Sequence, residues 1–277
     1  MKAFILMVLL LLKIAYTDAQ VATKEIIITR DIEYCKVIDH KKNTQPLLLD
    51  IYSLPKKGRT KKPVIFLVHG GGFSSGDKGG HKGLLYPDIA KAFAHHGYVA
   101  FSINYRLWPG CPIDSFHIEL DNAISDVKAA VNWIKANYKE YSIDTTKIII
   151  GGDSAGGGLA VNASYCNTQI FAGCIDLWGG LPPYGAGNQK QPVNSCPVTA
   201  KTPPTCLIHG TKDLTVPYST STELAGQLTI AGIYNELHTL EGAGHYPIGK
   251  VGADLTIPII QMMLDFGDKI IKGELSD

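Results

Sequence analysis

The pentapeptide Gly152-Asp153-Ser154-Ala155-Gly156 decides the fold of this 277-residue chain. It directly follows the β-branched run Lys147–Gly151 and opens a segment of helical character, Ala155–Cys166. A G-x-S-x-G between a strand and a helix places the serine on a strained turn, with its hydroxyl exposed above the sheet. A glycine-rich turn before a packed helix is the alternative. The strand-to-helix setting favours a nucleophilic Ser154.

On both sides of this pentapeptide, the chain alternates strand-like and helix-like segments. The predicted strands are Glu25–Tyr34, Leu47–Tyr52, Val64–Gly70, Val99–Tyr105, Lys147–Gly151, Phe171–Trp178, Thr205–Gly210 and Tyr234–Leu240. The predicted helices are Leu84–His95, Asp114–Tyr138, Ala155–Cys166, Thr220–Ala231 and Leu255–Ile271. Continuously apolar strands indicate a sheet covered on both faces. The pattern predicts an α/β fold, with a mostly parallel eight-stranded sheet flanked by helices and no large cap domain.

Composition excludes several classes of protein. The chain has 26 Lys and Arg against 25 Asp and Glu, a net charge of +1, and 45% hydrophobic residues. This charge balance offers no basic surface for nucleic acid, and the apolar content excludes intrinsic disorder. We expect one catalytic domain over residues 20–277, and the sequence leaves its oligomeric state open.

Residues 1–19 predict a secretory signal peptide. Lys2 precedes the apolar run Ala3–Leu12, and small residues around Ala19 suit signal peptidase cleavage. A membrane anchor is the alternative, but the run is about half the roughly 20 residues that a spanning helix needs. We therefore expect a secreted protein with no stable membrane anchor. Cleavage would leave 24 basic and 24 acidic side chains.

Secretion gives the cysteines an oxidising context. The six cysteines are Cys35, Cys111, Cys166, Cys174, Cys196 and Cys206. We expect one to three disulfides, with a pairing that the sequence leaves open, or buried thiols at some positions. Their spacing argues against a zinc site.

A serine nucleophile needs a base and an acid that orients the base. Asp213 follows the strand Thr205–Gly210, and His245 follows the strand that ends at Leu240. Three strand ends would therefore deliver Ser154, Asp213 and His245 to one rim of the sheet. Each residue has a plainer interpretation, as a turn former or an exposed loop residue.

Two other acids compete for the orienting position. Asp176 lies before the strand that should carry the acid, and Glu241 is too close in sequence to His245. Both considerations favour Asp213.

The stretch His69-Gly70-Gly71-Gly72-Phe73 ends the third predicted strand. Glycines there allow a sharp turn whose N–H groups point to one spot, although a phosphate-binding or plain tight turn has the same pattern. We expect the N–H groups of Gly71, Gly72 and Ala155 to form an oxyanion hole. His69 is expected to be structural.

These motifs, together with Asn104-Tyr105-Arg106-Leu107, HGTKD with Val216-Pro217, and GAGHYP, resemble the HGGG-bearing carboxylesterases of the α/β-hydrolase superfamily. The resemblance covers roughly residues 35–271. That branch includes secreted acetylxylan or feruloyl esterases and hormone-sensitive-lipase-like esterases. The chain lacks the long N-terminal cap of the latter, and it has HGTKD where they usually have D-P-L-x-D. Both departures favour the smaller polysaccharide-ester hydrolases.

The resemblance implies an α/β-hydrolase fold and a serine carboxylesterase that needs no metal or cofactor. Its expected substrate is a short-chain or carbohydrate-linked ester, acetyl or feruloyl. A serine peptidase or lipase of the same fold, or a non-catalytic binding protein, is the alternative. Aromatic residues expected to line the substrate pocket are Phe73, Trp108, Trp178, Tyr184 and Tyr246.

Overall fold

The computed structural model describes residues 25–56, 60–80, 86–180, 196–247 and 256–275. The predicted signal peptide, Tyr184 and most of the Pro- and Gly-rich stretch around it lie outside these ranges. Among the described residues, no helix combines the length and apolarity needed to cross a bilayer.

Eight strands form one sheet in the order β1-β2-β4-β3-β5-β6-β7-β8. Their bounds are β1 Ile27–Ile38, β2 Thr44–Ser53, β3 Lys62–Val68, β4 Val99–Ile103, β5 Ile143–Asp153, β6 Gly173–Leu177, β7 Thr205–Gly210 and β8 Asn235–Leu240. The pairs β1/β2 and β2/β4 are antiparallel, and every later pair is parallel. The prediction of a mostly parallel eight-stranded sheet is confirmed.

The helices lie between these strands, as the alternating pattern predicts. Their bounds are α1 Tyr86–His95, α2 Phe116–Ala136, α3 Tyr138–Tyr141, α4 Ala155–Cys166, α5 Ser219–Ile230 and α6 Thr256–Lys272. The predicted helix Asp114–Tyr138 differs in detail. A 3₁₀ turn, Ile113–Ser115, precedes α2, and α2 ends at Ala136. The next residue, Asn137, donates its side-chain amide to the carbonyl of Trp133 at 2.8 Å.

Both faces of the sheet are covered, which explains why its central strands are continuously apolar. Val64, Phe66 and Val68 of β3 pack into one core cluster, which also contains residues of α2, α4 and α5. Ile65 and Leu67 point to the other face and pack with α1 and α6. Because alternate side chains of a strand point to opposite faces, a strand buried on both sides must be apolar throughout.

One disulfide joins Cys166, at the end of α4, to Cys196. Within the described ranges the structure contains one disulfide, which confirms the prediction of one to three. Cys35 and Cys111 are half-buried thiols, and Cys174 and Cys206 are buried thiols.

Candidate active site

Ser154 occupies a strained turn between β5 and α4. Its backbone lies at φ 52° and ψ −122°, a conformation that costs energy for a residue with a side chain. The Ser154 N–H donates to the carbonyl of Leu177 at 2.8 Å, and the Gly158 N–H donates to the carbonyl of Ser154 at 3.0 Å. These bonds fix the turn from both sides, so the hydroxyl is held at the carboxyl end of the sheet.

The glycines on either side of Ser154 are required by close backbone approach. A Cβ on Gly152 would lie 2.4 Å from the carbonyl oxygen of Val68, and a Cβ on Gly156 would lie 2.1 Å from the same oxygen. No real Cβ tolerates such distances. The turn therefore presses directly against the end of β3, where the oxyanion loop, defined here as Gly70–Phe73, begins.

The three predicted triad side chains form one continuous chain of hydrogen bonds. Ser154 Oγ lies 2.8 Å from His245 Nε2, and His245 Nδ1 lies 2.7 Å from Asp213 Oδ2. An ionised carboxylate is only an acceptor, so Nδ1 carries the proton and Nε2 is free to accept the hydroxyl proton of Ser154. Ser154 and His245 are each 9% exposed, so both residues are largely buried.

Asp213 is buried and richly supplied with donors. Its Oδ1 accepts the backbone N–H groups of Thr215 at 2.8 Å and Val216 at 2.9 Å. Its Oδ2 accepts from His245 and, at 3.1 Å, from His209 Nε2. Burial alone would raise the pKa of Asp213, but the bonds from His209, His245 and Val216 outweigh it and lower the pKa well below its usual range. The carboxylate is therefore ionised whenever His245 acts as a base.

The oxyanion loop turns sharply after β3. Gly71 has φ +113° and Gly72 has φ +63°, and the carbonyl of Gly71 accepts the N–H groups of Ser74 and Ser75. Within the described ranges, no protein acceptor takes the backbone N–H of Gly71, Gly72 or Ala155. These three donors are therefore available for a substrate oxygen.

Two residues that the sequence analysis passed over hold the oxyanion loop against the serine turn. Asp153 Oδ1 accepts the Gly70 N–H at 2.8 Å and also accepts from the Tyr86 hydroxyl. The Tyr86 hydroxyl in turn lies 2.7 Å from the carbonyl oxygen of Val68. Burial and the neighbouring Asp153 raise the pKa of Tyr86, which keeps it a donor. The variable position of G-x-S-x-G is thus a buried carboxylate.

His69 is fully buried, and its ring stacks on Tyr105 with 4.5 Å between ring centroids. Its Nδ1 lies 2.7 Å from the carbonyl oxygen of Gly70. These contacts give His69 the structural position that the sequence analysis expected.

Two of the predicted pocket aromatics flank the oxyanion loop. Phe73 is 5% exposed and makes edge contacts with Tyr105 and Phe116. Trp108 is half-buried, stacks with His40 at 5.5 Å, and donates its backbone N–H to the carbonyl of Phe73 at 2.9 Å. The backbone of Trp108 is therefore bonded directly to the oxyanion loop.

Tyr246 and Trp178 have different surroundings. The Tyr246 ring makes an edge contact with His245 at 4.7 Å. Burial and the charge of Asp153 raise the pKa of Tyr246, and a hydrogen bond with Ser154 opposes the rise. Trp178 has no exposed surface and packs in the core with α1 and α6. The expectation that Trp178 lines the pocket is therefore wrong: it follows the last residue of a central strand, and its ring turns into the core.

The two competing acids have other partners. Asp176 accepts the backbone N–H groups of Gly179 at 2.9 Å and Gly180 at 2.7 Å, which shapes the turn after β6. Glu241 is exposed and lies 3.3 Å from Thr211 Oγ1. Asp213 is the carboxylate that reaches His245.

Within the described ranges, one group of potential metal ligands lies elsewhere, on β7 and β8. Cys206, Glu236 and His238 have donor atoms within 4.8 Å of one another. Glu236 is already engaged there, with Lys269 Nζ at 2.6 Å and His238 Nε2 at 3.0 Å. Glu236 therefore already has an ion-pair partner, Lys269, and a hydrogen-bond partner, His238.

Two family models match segments that contain the predicted catalytic residues. A model described as Phospholipase/Carboxylesterase matches residues 113–253, about half of the chain. A model described as BD-FAE matches residues 49–176. The first match contains Ser154, Asp213 and His245, and the second contains the oxyanion loop and Ser154.

Individual relatives are similar in sequence or in fold. Over 223 residues the chain is 27% identical to a probable carboxylic ester hydrolase, LipM, of Mycobacterium tuberculosis. The match covers 65% of this chain and 48% of the relative, so the chain spans about half the length of that protein. An α/β hydrolase from a Medee basin deep-sea metagenome library, MGS-M1, superposes with a TM-score of 0.70 at 19% identity, covering 90% of this chain and 99% of the other. A thermophilic esterase of Thermogutta terrifontis, Est2, superposes with a TM-score of 0.68 at 24% identity, covering 93% and 95%. These superpositions show that the chain has the α/β-hydrolase fold.

Proposed function

The chain belongs to the phospholipase/carboxylesterase family, and from that premise we propose that it is a serine esterase that hydrolyses carboxylic esters through an acyl-enzyme on Ser154. The observation that carries the proposal is the unbroken series of bonds Ser154–His245–Asp213, at 2.8 and 2.7 Å. Three available N–H groups beside the serine supply the remaining requirement of ester hydrolysis, a site for the oxyanion.

In this mechanism Ser154 Oγ attacks the ester carbonyl carbon while His245 Nε2 takes the hydroxyl proton. The C–O bond to the leaving alcohol then breaks, and the His245 imidazolium returns the proton to that alcohol. Water attacks the acyl-enzyme by the same steps and releases the acid. The ionised Asp213 keeps the Nδ1–H tautomer of His245 and stabilises the imidazolium at both stages.

The N–H groups of Gly71, Gly72 and Ala155 act when the carbonyl oxygen becomes negative. Each preorganised donor of this kind contributes about 2.7–4 kcal/mol to stabilisation of the transition state. The bond between Gly70 and Asp153 holds the loop in place before substrate binds. Little reorganisation is therefore needed during the reaction.

A Ser154→Ala variant tests the assignment of the nucleophile. With p-nitrophenyl acetate we expect its kcat/KM to fall by at least about 10⁴-fold, because only oxyanion stabilisation and binding remain. Ser125→Ala, at an exposed position on α2, is the matched control and should retain wild-type activity. An organophosphate such as paraoxon should label wild type and Ser125→Ala at Ser154. Equal hydrolysis by Ser154→Ala and wild type would overturn the proposal.

For the substrate, the proposal is a short-chain or carbohydrate-linked ester, acetyl or feruloyl. The support is the set of rings beside the oxyanion loop: Phe73 is almost buried, and Trp108 is half-buried next to it. Aromatic faces of this kind suit small acyl groups, aryl groups and sugar rings. Initial rates on p-nitrophenyl acetate, butyrate and palmitate, acetylated xylan and methyl ferulate test this assignment. Preference for palmitate would contradict it.

For localisation, the proposal is export into an oxidising compartment. The support is the signal-like composition of residues 1–19 and the bridge between Cys166 and Cys196. Mass spectrometry of protein secreted by a eukaryotic host should find an N-terminus near residue 20. Retention of the intact N-terminus inside the cell would contradict the proposal.

A further inference from the structure

A second imidazole lies behind the triad carboxylate. His209 is the penultimate residue of β7 and has no exposed surface. Its Nε2 lies 3.1 Å from Asp213 Oδ2, the same oxygen that His245 Nδ1 contacts at 2.7 Å. Its other ring nitrogen, Nδ1, lies 2.7 Å from Ser221 Oγ, on α5. Both nitrogens are therefore engaged in the interior of the protein.

The partners of His209 decide which nitrogen carries the proton. Nε2 also lies 3.0 Å from the carbonyl oxygen of Val216. A carbonyl and a carboxylate are both acceptors, so Nε2 must be the N–H donor, shared between Asp213 and Val216. In a neutral ring Nδ1 is then an acceptor, and the fully buried Ser221 hydroxyl donates to it. The hydrogen-bond chain thus runs from Ser221 through His209 to Asp213.

We propose that His209 is a positioning residue that acts through Asp213 on the base His245, so that the catalytic chain contains four members before it ends at Ser221. The inference rests on the proposed function and extends it. His209 fixes the Asp213 carboxylate by a side-chain bond in addition to the two backbone bonds from Thr215 and Val216. The N–H of His209 also interacts with the negative charge of the Asp213 carboxylate, so that this charge stabilises the His245 imidazolium less strongly.

The second effect has a definite sign. A carboxylate that loses one N–H donor holds the remaining imidazolium proton more strongly. Loss of the His209 donor should therefore move the acid limb of the pH profile of kcat/KM to higher pH, and it should lower kcat, because the carboxylate is less well placed. Other titratable groups face this chain and stay in place in the variants: Asp176 on β6 and Tyr218 before α5 lie near His209, and Tyr246 after β8 contacts His245, with Asp153 at the end of β5 acting on Tyr246.

The experiment compares substitutions of His209 that differ in their ability to donate. His209→Phe keeps a buried ring but removes the donor. His209→Gln keeps an amide N–H that can reach Asp213. Ser221→Ala leaves His209 in place without its partner on α5. The matched control is His238→Phe, the same change on the neighbouring strand β8, where His238 contacts Glu236 and no triad residue.

If the inference is right, His209→Phe loses about 10-fold or more in kcat, since small misplacements of catalytic groups have effects of that size. Its acid limb also moves to higher pH, whereas His209→Gln recovers most of the rate and the wild-type limb. Ser221→Ala should fall between them, and His238→Phe should match wild type. All rates are normalised to sites labelled by paraoxon, so that partly unfolded protein is not counted.

A merely structural role predicts a different result. His209→Phe would then lower the unfolding temperature but leave kcat per labelled site and the acid limb unchanged, and that outcome overturns the inference. If His209→Phe does not fold, kcat per labelled site and the acid limb are measured for His209→Gln and Ser221→Ala instead. The inference is then overturned if Ser221→Ala behaves like wild type and His209→Gln is inactive.

A readout without turnover separates this inference from the proposed function. The proton between His245 Nδ1 and Asp213 should give a far-downfield proton NMR signal, which should move in His209→Phe and stay in place in His209→Gln. If wild type hydrolyses no ester yet shows this behaviour, the proposed function fails and the inference stands. An unmoved signal in His209→Phe overturns the inference even in an active esterase.

Discussion

The carboxylate of Asp153 accepts the backbone N–H of Gly70 at 2.8 Å and thereby ties the oxyanion loop to the turn that carries the nucleophile. The two residues are 83 positions apart in sequence. The same oxygen accepts from the Tyr86 hydroxyl, which reaches the end of β3. The two halves of the site are thus fixed relative to each other by one buried side chain.

We predict that Asp153→Ala lowers both stability and activity. The buried N–H of Gly70 would lose its acceptor, at a cost of about 1–3 kcal/mol, while the Tyr86 hydroxyl would keep the carbonyl oxygen of Val68. The loop would shift, and kcat should fall by about 10-fold or more. Urea unfolding and ester hydrolysis measure the two effects. Asp88→Ala, at an exposed position on α1, should change neither, and wild-type kcat in Asp153→Ala would contradict the prediction.

Gly156→Ala should be far more damaging than the same change elsewhere on a helix. Its Cβ would lie 2.1 Å from the carbonyl oxygen of Val68 and 2.5 Å from that of His69. Overpacking of this kind costs about 1–3 kcal/mol and would displace the base of the oxyanion loop. Gly226→Ala on α5 is the control, because a Cβ there meets nothing within 4 Å. There, alanine should be neutral or stabilising by up to about 1 kcal/mol.

This comparison needs only the midpoints of urea unfolding and kcat for the two variants. Equal stability of Gly156→Ala and Gly226→Ala would show that the turn does not press against β3 as described.

Glu119 makes the stability of the protein depend on pH near neutrality. The side chain is 2% exposed on α2, and burial raises its pKa to about 7, opposed by Arg106 and reinforced by Asp126. In the unfolded chain a glutamate loses its proton near pH 4.3. Because the folded pKa is the higher one, the contribution of Glu119 to stability is full below about pH 4 and is lost as pH rises toward 7.

Glu119→Gln removes this titration and should flatten that part of the profile. The variant should gain up to about 3 kcal/mol over wild type at pH 8, the upper bound set by the shift in pKa. Unfolding free energies at half-unit pH steps from 4 to 8 provide the test. Glu223→Gln, at an exposed position on α5, should run parallel to wild type; a parallel curve for Glu119→Gln would refute the prediction.

The bridge between Cys166 and Cys196 should stabilise the domain. The residues are 30 positions apart, and closing a loop of this size restricts the unfolded chain by about 2–4 kcal/mol. The paired substitution Cys166→Ser with Cys196→Ser should therefore lower the unfolding free energy by that amount. Dithiothreitol should lower the stability of wild type and leave the double variant unaffected. Cys111→Ser, a half-buried thiol, is the control.

Much of the fold follows from local patterns. The eight strands and the order of strand and helix are encoded in runs of apolar residues, because a strand covered on both faces has to be apolar throughout. Element ends were less predictable. The break in the helix at Asn137 depends on a side-chain bond to Trp133, and hydropathy does not report such bonds.

Some residues of the site, but not all, could also be predicted from the sequence. Ser154, Asp213 and His245 were identifiable because each lies within five residues of the end of a predicted strand, and parallel strands bring their carboxyl ends to one edge. Trp178 shows the limit of this reasoning. Trp178 also lies at the carboxyl end of a predicted strand, but its ring is buried in the core. The direction of a side chain depends on neighbours that are distant in sequence.

Periodicity and short motifs in the amino-acid sequence are enough to predict the layered α/β architecture and the residue types that perform the proposed chemistry. Only the tertiary structure decided which groups support them. The approach of Asp153 to Gly70 and of His209 to Asp213 is set by packing across strands and loops. His209 is four positions from Asp213 in the HGTKD motif, yet that spacing alone does not show that its imidazole shares an oxygen with His245. Contacts of this kind arise from the folded geometry of the sheet edge, which no local pattern specifies.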